Sequence, residues 1–138
     1  WIGLQQPFPG EQYGWTDGTL QDFSFWGGSQ PNNSNGKKTC AEMDVKSGLW
    51  FAAECSRKQQ GLCQFMLNEG GAPPPPPGDF DQIGGCPEGW YRYRKRCFQF
   101  NGLDSESPDR LGFEAAEAKC VEQGGHLASI YDNYYNCK

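Results

Sequence analysis

Apolar positions come in short clusters separated by long polar stretches. Trp1-Ile2-Gly3-Leu4 is an apolar run that leads into Pro7, Pro9 and Gly10, the pattern of a buried strand entering a loop. Tyr13 to Thr19 predicts a hairpin: Trp15 and Thr16 suit a pleated surface, and Asp17-Gly18 supplies the positive φ of a tight turn. Phe23, Phe25 and Trp26 follow with partial alternation. From Gly27 to Lys38 the chain is Gly, Ser, Pro, Asn and Lys, which predicts a long surface loop. Cys40 to Val45 alternates as a strand, and Leu49-Trp50-Phe51 and Gly61-Leu62-Cys63-Gln64-Phe65 predict two more.

The pattern then breaks. Residues 67–85 hold five consecutive prolines, Pro73 to Pro77, between glycines and acids. Proline has no backbone donor and a fixed φ, so the stretch favours extended polyproline over helix or central strand. It predicts a linker, semi-rigid in the middle and loose at both ends. Beyond it, Cys86-Pro87-Glu88-Gly89-Trp90 opens a hairpin that closes near Cys97-Phe98-Gln99-Phe100, with Arg92, Arg94, Lys95 and Arg96 at or near its turn. Residues 101–108 predict a polar loop. A helix begins between Ser107 and Gly112, with Leu111, Ala115, Ala118 and Val121 near helical spacing, and ends at Gly124-Gly125. His126 to Ile130 is a short strand, and Tyr131 onward should start a second helix.

Composition narrows this picture. Seven cysteines, Cys40, Cys55, Cys63, Cys86, Cys97, Cys120 and Cys137, are many for 138 residues. None is spaced as CxxC, and His126 is the one histidine, so disulfides in an oxidising compartment are favoured over zinc. The odd count leaves one thiol over. Residues 1–66 carry five Lys/Arg against six Asp/Glu, residues 86–138 seven against eight, and the linker three acids and no base. Two near-neutral flanks give nucleic acid no basic footprint. No apolar run approaches the roughly 18 residues that would insert in a bilayer. A start at Trp1, with no initiator Met and no signal-peptide core, is expected of a piece of a longer precursor.

Before the linker, WIGL, WTDG, Trp26, Gln30-Pro31-Asn32, Cys40-Ala41-Glu42-Met43, Leu49-Trp50, Cys55 and Gly61-Leu62-Cys63 occur in an order that resembles the C-terminal half of a C-type lectin-like domain. After it, the two-cysteine hairpin, Phe113-Glu114-Ala115-Ala116-Glu117 leading to Cys120, and Gly124-Gly125-His126-Leu127-Ala128-Ser129-Ile130 resemble the N-terminal half of the same domain type. The expected fold class is therefore α+β: antiparallel strands, a long loop and a flanking helix, disulfide-bonded. The expected organisation is a C-terminal half-domain over 1–66, a linker over 67–85 and the N-terminal half of the next domain over 86–138. Tandem domains of this kind resemble the mannose-receptor family of endocytic receptors.

The resemblance implies Cys40–Cys55 and Cys86–Cys97 bridges. The family's long-range bridge corresponds to Cys63–Cys120, whose members belong to different domains in a tandem protein. Because the family's termini lie close together, a linker of about 20 residues, spanning roughly 25 Å, could let the halves close as one permuted domain. The same closure between two chains, as a swapped dimer, is the alternative. Cys137 has no family partner and is expected to pair outside this sequence.

Sugar-binding members of the family hold calcium through oxygens of the long loop and the following strand. A hard cation needs about six to eight oxygens, several charged. Of the five implied positions Gln30 and Asn32 keep such an oxygen, while Lys38, Phe51 and Ala52 replace ligands. The principal site is expected to be dead, with no cofactor. Asn32-Asn33-Ser34 is an N-glycosylation sequon, and a glycan on Asn32 would cover the old sugar pocket.

Arg92, Arg94, Lys95 and Arg96 form a candidate polyanion patch, although such a run is more often the solvated end of a hairpin. The five tryptophans are expected in the core, His126 in a structural role, and Glu114 and Glu117 on the helix surface. No nucleophile, base and orienting group come together, so an enzyme is not expected. The expected function is an extracellular, non-catalytic ligand-binding or spacing module of a single-pass endocytic receptor. Its partner would be a protein or glycoconjugate, with no nucleic acid and no membrane insertion by this stretch. A secreted lectin-like matrix or immune interaction protein is the alternative.

Overall fold

The computed structural model describes residues 1–67, 85–103 and 106–131. The proline stretch, the helix expected after Tyr131 and Cys137 lie outside them. Among the described residues eight strands and one helix run β1 (Leu4–Gln5), β2 (Gly14–Trp15), β3 (Cys40–Met43), β4 (Trp50–Ala53), β5 (Gly61–Met66), β6 (Tyr91–Tyr93), β7 (Arg96–Asn101), α1 (Phe113–Glu122) and β8 (His126–Leu127). They form two antiparallel sheets, ordered β2-β1-β3-β4 and β6-β7-β5-β8. The fold is α+β, as expected of a C-type lectin-like domain, and among the described residues it carries three disulfides.

The first sheet is built from residues before the linker alone. In the second, β5 lies between two strands from beyond it: six residues pair with β7, and Cys63 and Gln64 pair with Leu127 and His126 of β8. The seam continues outside the strands. Gln59 and Leu111 exchange backbone hydrogen bonds of 3.0 and 3.1 Å, Gly3 N donates to Ala128 O, and Ala128 N donates to Leu62 O. The first amide of α1, at Phe113, donates to Cys55 O at 2.8 Å, so a free helix-end donor is satisfied by the other segment. The two segments form one core.

Among the described residues three apolar clusters fill that core. Trp50, fully buried, is met edge-on by Trp15, Phe23 and Trp26 with ring centroids 5.5–5.8 Å apart. Such edge-to-face pairs contribute about 0.5–1.5 kcal/mol each beyond their buried area. The second cluster sets Trp1 edge-on to Phe113 beside Cys63, Cys120 and Leu127, and the Trp1 indole N–H donates to Leu111 O. Trp90 is half-buried against Phe65.

Two local expectations need correction. The residue 13–19 hairpin does not form: Gly14–Trp15 pairs backward with Leu4–Gln5, and Asp17-Gly18 makes a turn without a return strand. Leu4 and Trp15 are both buried, and side-chain burial chose that partner. The helix is also out of phase with its expected stripe. Phe113, Ala116 and Cys120 face inward, whereas Ala115, Ala118 and Val121 are exposed. The disulfide and the large Phe113 ring set the rotation, and three small apolar residues could not oppose them. The helix stops where expected, at Gly124 with φ +86°.

Candidate functional site

The long loop folds back on the end of β4. Gln30 Oε1 accepts from Asn32 N at 2.9 Å and from Ala52 N at 3.1 Å, so this amide oxygen is committed to holding the loop against the strand. Asn33 pins the loop from the other side, its Nδ2 donating to Gln6 Oε1 and its Oδ1 accepting from Lys38 N. Asn32 and Ser34, on either side of it, are exposed. Lys38 is half-buried and its carbonyl accepts from the Tyr13 hydroxyl at 2.7 Å. Burial pushes the Tyr13 phenol up from its ordinary value. Phe51 lays its ring against Gly27, where a Cβ would come within 2.8 Å of it, and Ala52 is buried in register with Ala41.

Gln30, Asn32 and Ala52 are thus brought together, yet they offer a hard cation little. Among the five implied positions two carry a side-chain oxygen, and that of Gln30 already accepts two amides. Among the described residues no group of three or more His, Cys, Asp or Glu could hold a metal ion. Two side-chain oxygens, one of them already committed, fall short of the roughly six to eight that a hard cation needs.

The basic run does not stay together. Arg92, Arg94 and Lys95 are exposed at the β6–β7 turn, where Arg94 has φ +54° and accepts through its carbonyl from Arg92 Nε. Arg96 points the other way and is buried, at 8% exposure. Its Nη1 donates to Gln64 Oε1 at 2.8 Å and approaches Ser129 Oγ and O, while its guanidinium stacks 4.2 Å from the centroid of the Tyr131 ring. One residue along a strand reverses the face, so a run of cations could not all face solvent.

This arginine belongs to a polar network that the sequence pattern did not signal. Ser129 Oγ donates to Asp17 Oδ2 at 2.6 Å, Gln64 Nε2 donates to the same oxygen, and the Tyr131 hydroxyl lies 2.5 Å from Ser129 Oγ. Thr19 supplies both its amide and its hydroxyl to Asp17 Oδ1. Burial disfavours the Asp17 carboxylate, but the hydrogen bonds from Ser129, Thr19 and Tyr131 outweigh it and hold its pKa below the usual carboxylate range. Asp17 and Gln64 come from before the linker, and Arg96, Ser129 and Tyr131 from after it.

Glu117 also corrects its expectation. It is no free surface carboxylate: Oε1 lies 2.5 Å from His126 Nδ1, while Oε2 accepts from Leu127 N and from Thr16 Oγ1. It braces α1 against β8. Glu114 is exposed, as its position on the helix surface requires. The cysteines pair as Cys40–Cys55, Cys63–Cys120 and Cys86–Cys97, and the second of these joins the two segments. Among the described residues no helix is long and apolar enough to cross a membrane.

Residues 1–65 match the Lectin C-type domain family. Over 132 residues, 94% of this chain, the sequence is 29% identical to C-type mannose receptor 2 of Mus musculus. Over 135 residues, again 94% of the chain, it is 28% identical to the secretory phospholipase A2 receptor of Homo sapiens. The chain spans 9% of the length of each of these relatives. No solved structure matches it. Both relatives are receptors by name. The chain is thus similar to C-type lectin-like receptors over most of its length, with the match to the Lectin C-type domain family lying in residues 1–65.

Proposed function

We propose that the chain is a non-catalytic, extracellular ligand-binding and spacing module of a tandem C-type lectin-like endocytic receptor. One observation carries the reading: similarity to the receptors is continuous over 94% of the chain, through both lectin-like segments and the stretch between them, while covering 9% of each receptor. A segment in that order is what the junction of two consecutive domains contains. Residues 1–66 are then the C-terminal half of one domain, 67–85 the spacer and 86–138 the N-terminal half of the next. Three disulfides fit an oxidising, extracellular setting.

The module works without calcium. Lys38, Phe51 and Ala52 put a cation, a ring and a methyl where the family places oxygens, and Gln30 is spent on the loop. Recognition therefore rests on protein or glycoconjugate surfaces met by the loops, with Arg92, Arg94 and Lys95 as the exposed cationic contribution. A secreted lectin-like interaction protein is the second reading, favoured by the closure of both segments into one disulfide-linked core.

The coding sequence on either side of the segment tests the receptor reading. Further copies of the WIGL and GGHLASI motifs, then an apolar span and a short tail, are expected. A single copy in a secreted open reading frame overturns it. Calorimetric titration with calcium should give no binding heat, and a calcium-dependent sugar affinity in the micromolar range would overturn the degenerate site.

A further inference from the structure

Beside the long loop lies an open depression of about 450 Å³. Tyr13, Phe23, Trp26 and Pro31 give it apolar faces, and Glu11 and Asp22 give it carboxylates. Its volume is in the range of small-ligand sites, about 300–1,000 Å³. Ring faces with carboxylate acceptors around them suit a pyranose, whose C–H face packs on aromatics while its hydroxyls donate at the rim. Pro31, in the lining, is the residue before Asn32.

The loop presents Asn32 for modification. Its central residue, Asn33, is turned inward on Gln6 and Lys38, which leaves the acceptor Asn32 and the hydroxyl residue Ser34 outside and exposed. Ser34 N donates to Asn32 Oδ1 at 3.5 Å, and among the described residues Asn32 Nδ2 makes no hydrogen bond. We infer that Asn32 carries an N-linked glycan whose first sugars occupy the aromatic, acid-rimmed depression beside it.

In the transfer, Asn32 Nδ2 loses one proton and bonds to C1 of the reducing-end sugar. The C1–oxygen bond of a lipid-pyrophosphate-linked oligosaccharide breaks, and the lipid pyrophosphate leaves with the electron pair. No oxidant is needed. The consequence is a module whose own sugar fills a sugar-sized recess next to the loop, so an external saccharide finds it taken.

The inference draws only the secretory route from the functional reading above. The full chain is secreted from mammalian cells and its intact mass measured before and after peptide-N-glycosidase treatment. Hydroxyl-radical footprinting then compares the glycosylated chain, the enzymatically deglycosylated chain and Asn32→Asp made without glycan. The expected result is a glycan lost in both Asn32→Gln and Ser34→Ala, and oxidation of Trp26 and Phe23 that rises several-fold in both bare forms. A secreted, disulfide-bonded chain bare at Asn32 overturns the inference and leaves the receptor reading standing. A glycan whose removal leaves Trp26 and Phe23 unchanged also overturns it, and a chain with neither glycan nor disulfides overturns both.

Discussion

Replacing Cys63 and Cys120 together by alanine tests whether the two segments are truly one core. The bridge closes a separation of 57 residues and both sulfurs are fully buried. In the chain-entropy description, freeing a loop of that length stabilises the unfolded chain by about 4 kcal/mol. The short Cys86–Cys97 bridge shortens the path by a separation of only 11 and barely changes that figure. The stability of a domain this size is about 5–15 kcal/mol, so the loss is a large part of the whole. With a urea slope of about 2 kcal/mol/M, the midpoint should fall by roughly 2 M. Urea melts followed by tryptophan fluorescence read it directly, because Trp50 and Trp1 are buried in the two clusters that residues from beyond the linker complete. A loss below about 1 kcal/mol would refute the reasoning, since the bridge would then close no loop in the unfolded chain. Native mass separates the remaining alternative: a monomer supports closure within one chain, and a disulfide-held species of twice the mass means exchange between two.

Further predictions follow the seam. Arg96→Met leaves Gln64 Oε1 and Ser129 without their charged donor, which costs about 2–4 kcal/mol in thermal melts, and lysine at 96 does not rescue the fork. Asp17 titrates lower folded than unfolded, so its contribution is complete above the unfolded carboxylate value of about 4 and is lost as pH falls through the folded one. Urea midpoints measured down the acid limb should show that loss, and Asp17→Asn should flatten it at the expense of stability near neutrality. Gly125→Ala puts a Cβ 2.1 Å from Gln64 O and must push β8 off β5, whereas Gly28→Ala meets nothing within 4 Å and serves as a neutral control in the same melts.

Long-range architecture was more legible than local phase. Strand clusters such as Gly61 to Phe65 and Leu49 to Phe51 could be read from apolar runs, and the stop at Gly124-Gly125 from its glycines. The helix rotation was not, because Ala115, Ala118 and Val121 mimic a stripe and only the neighbours of Cys120 reveal the true one. Sequence adjacency groups the buried Arg96 with three surface cations because it hides the alternation of a strand. The Asp17 network was beyond reach for a similar reason. Its members are separated by up to 114 residues and have no shared spacing to betray them. A buried arginine in a strand is visible only once its receiving acceptors, Gln64 and Ser129, are placed.

The central position of β5 sets a timetable for synthesis. Both of its partner strands are translated after it, with Leu127 following Cys63 across the proline stretch. At about 5–20 residues per second, the ribosome leaves Leu62, Cys63 and Phe65 waiting roughly 3–13 s for the chain that pairs with them. Where the two segments close on each other in an oxidising compartment, Cys63 stays a thiol during that interval alongside Cys40 and Cys55, so wrong pairings compete with the right one. Efficient maturation of this chain should therefore depend on disulfide isomerase activity more than the stability of the finished core would suggest.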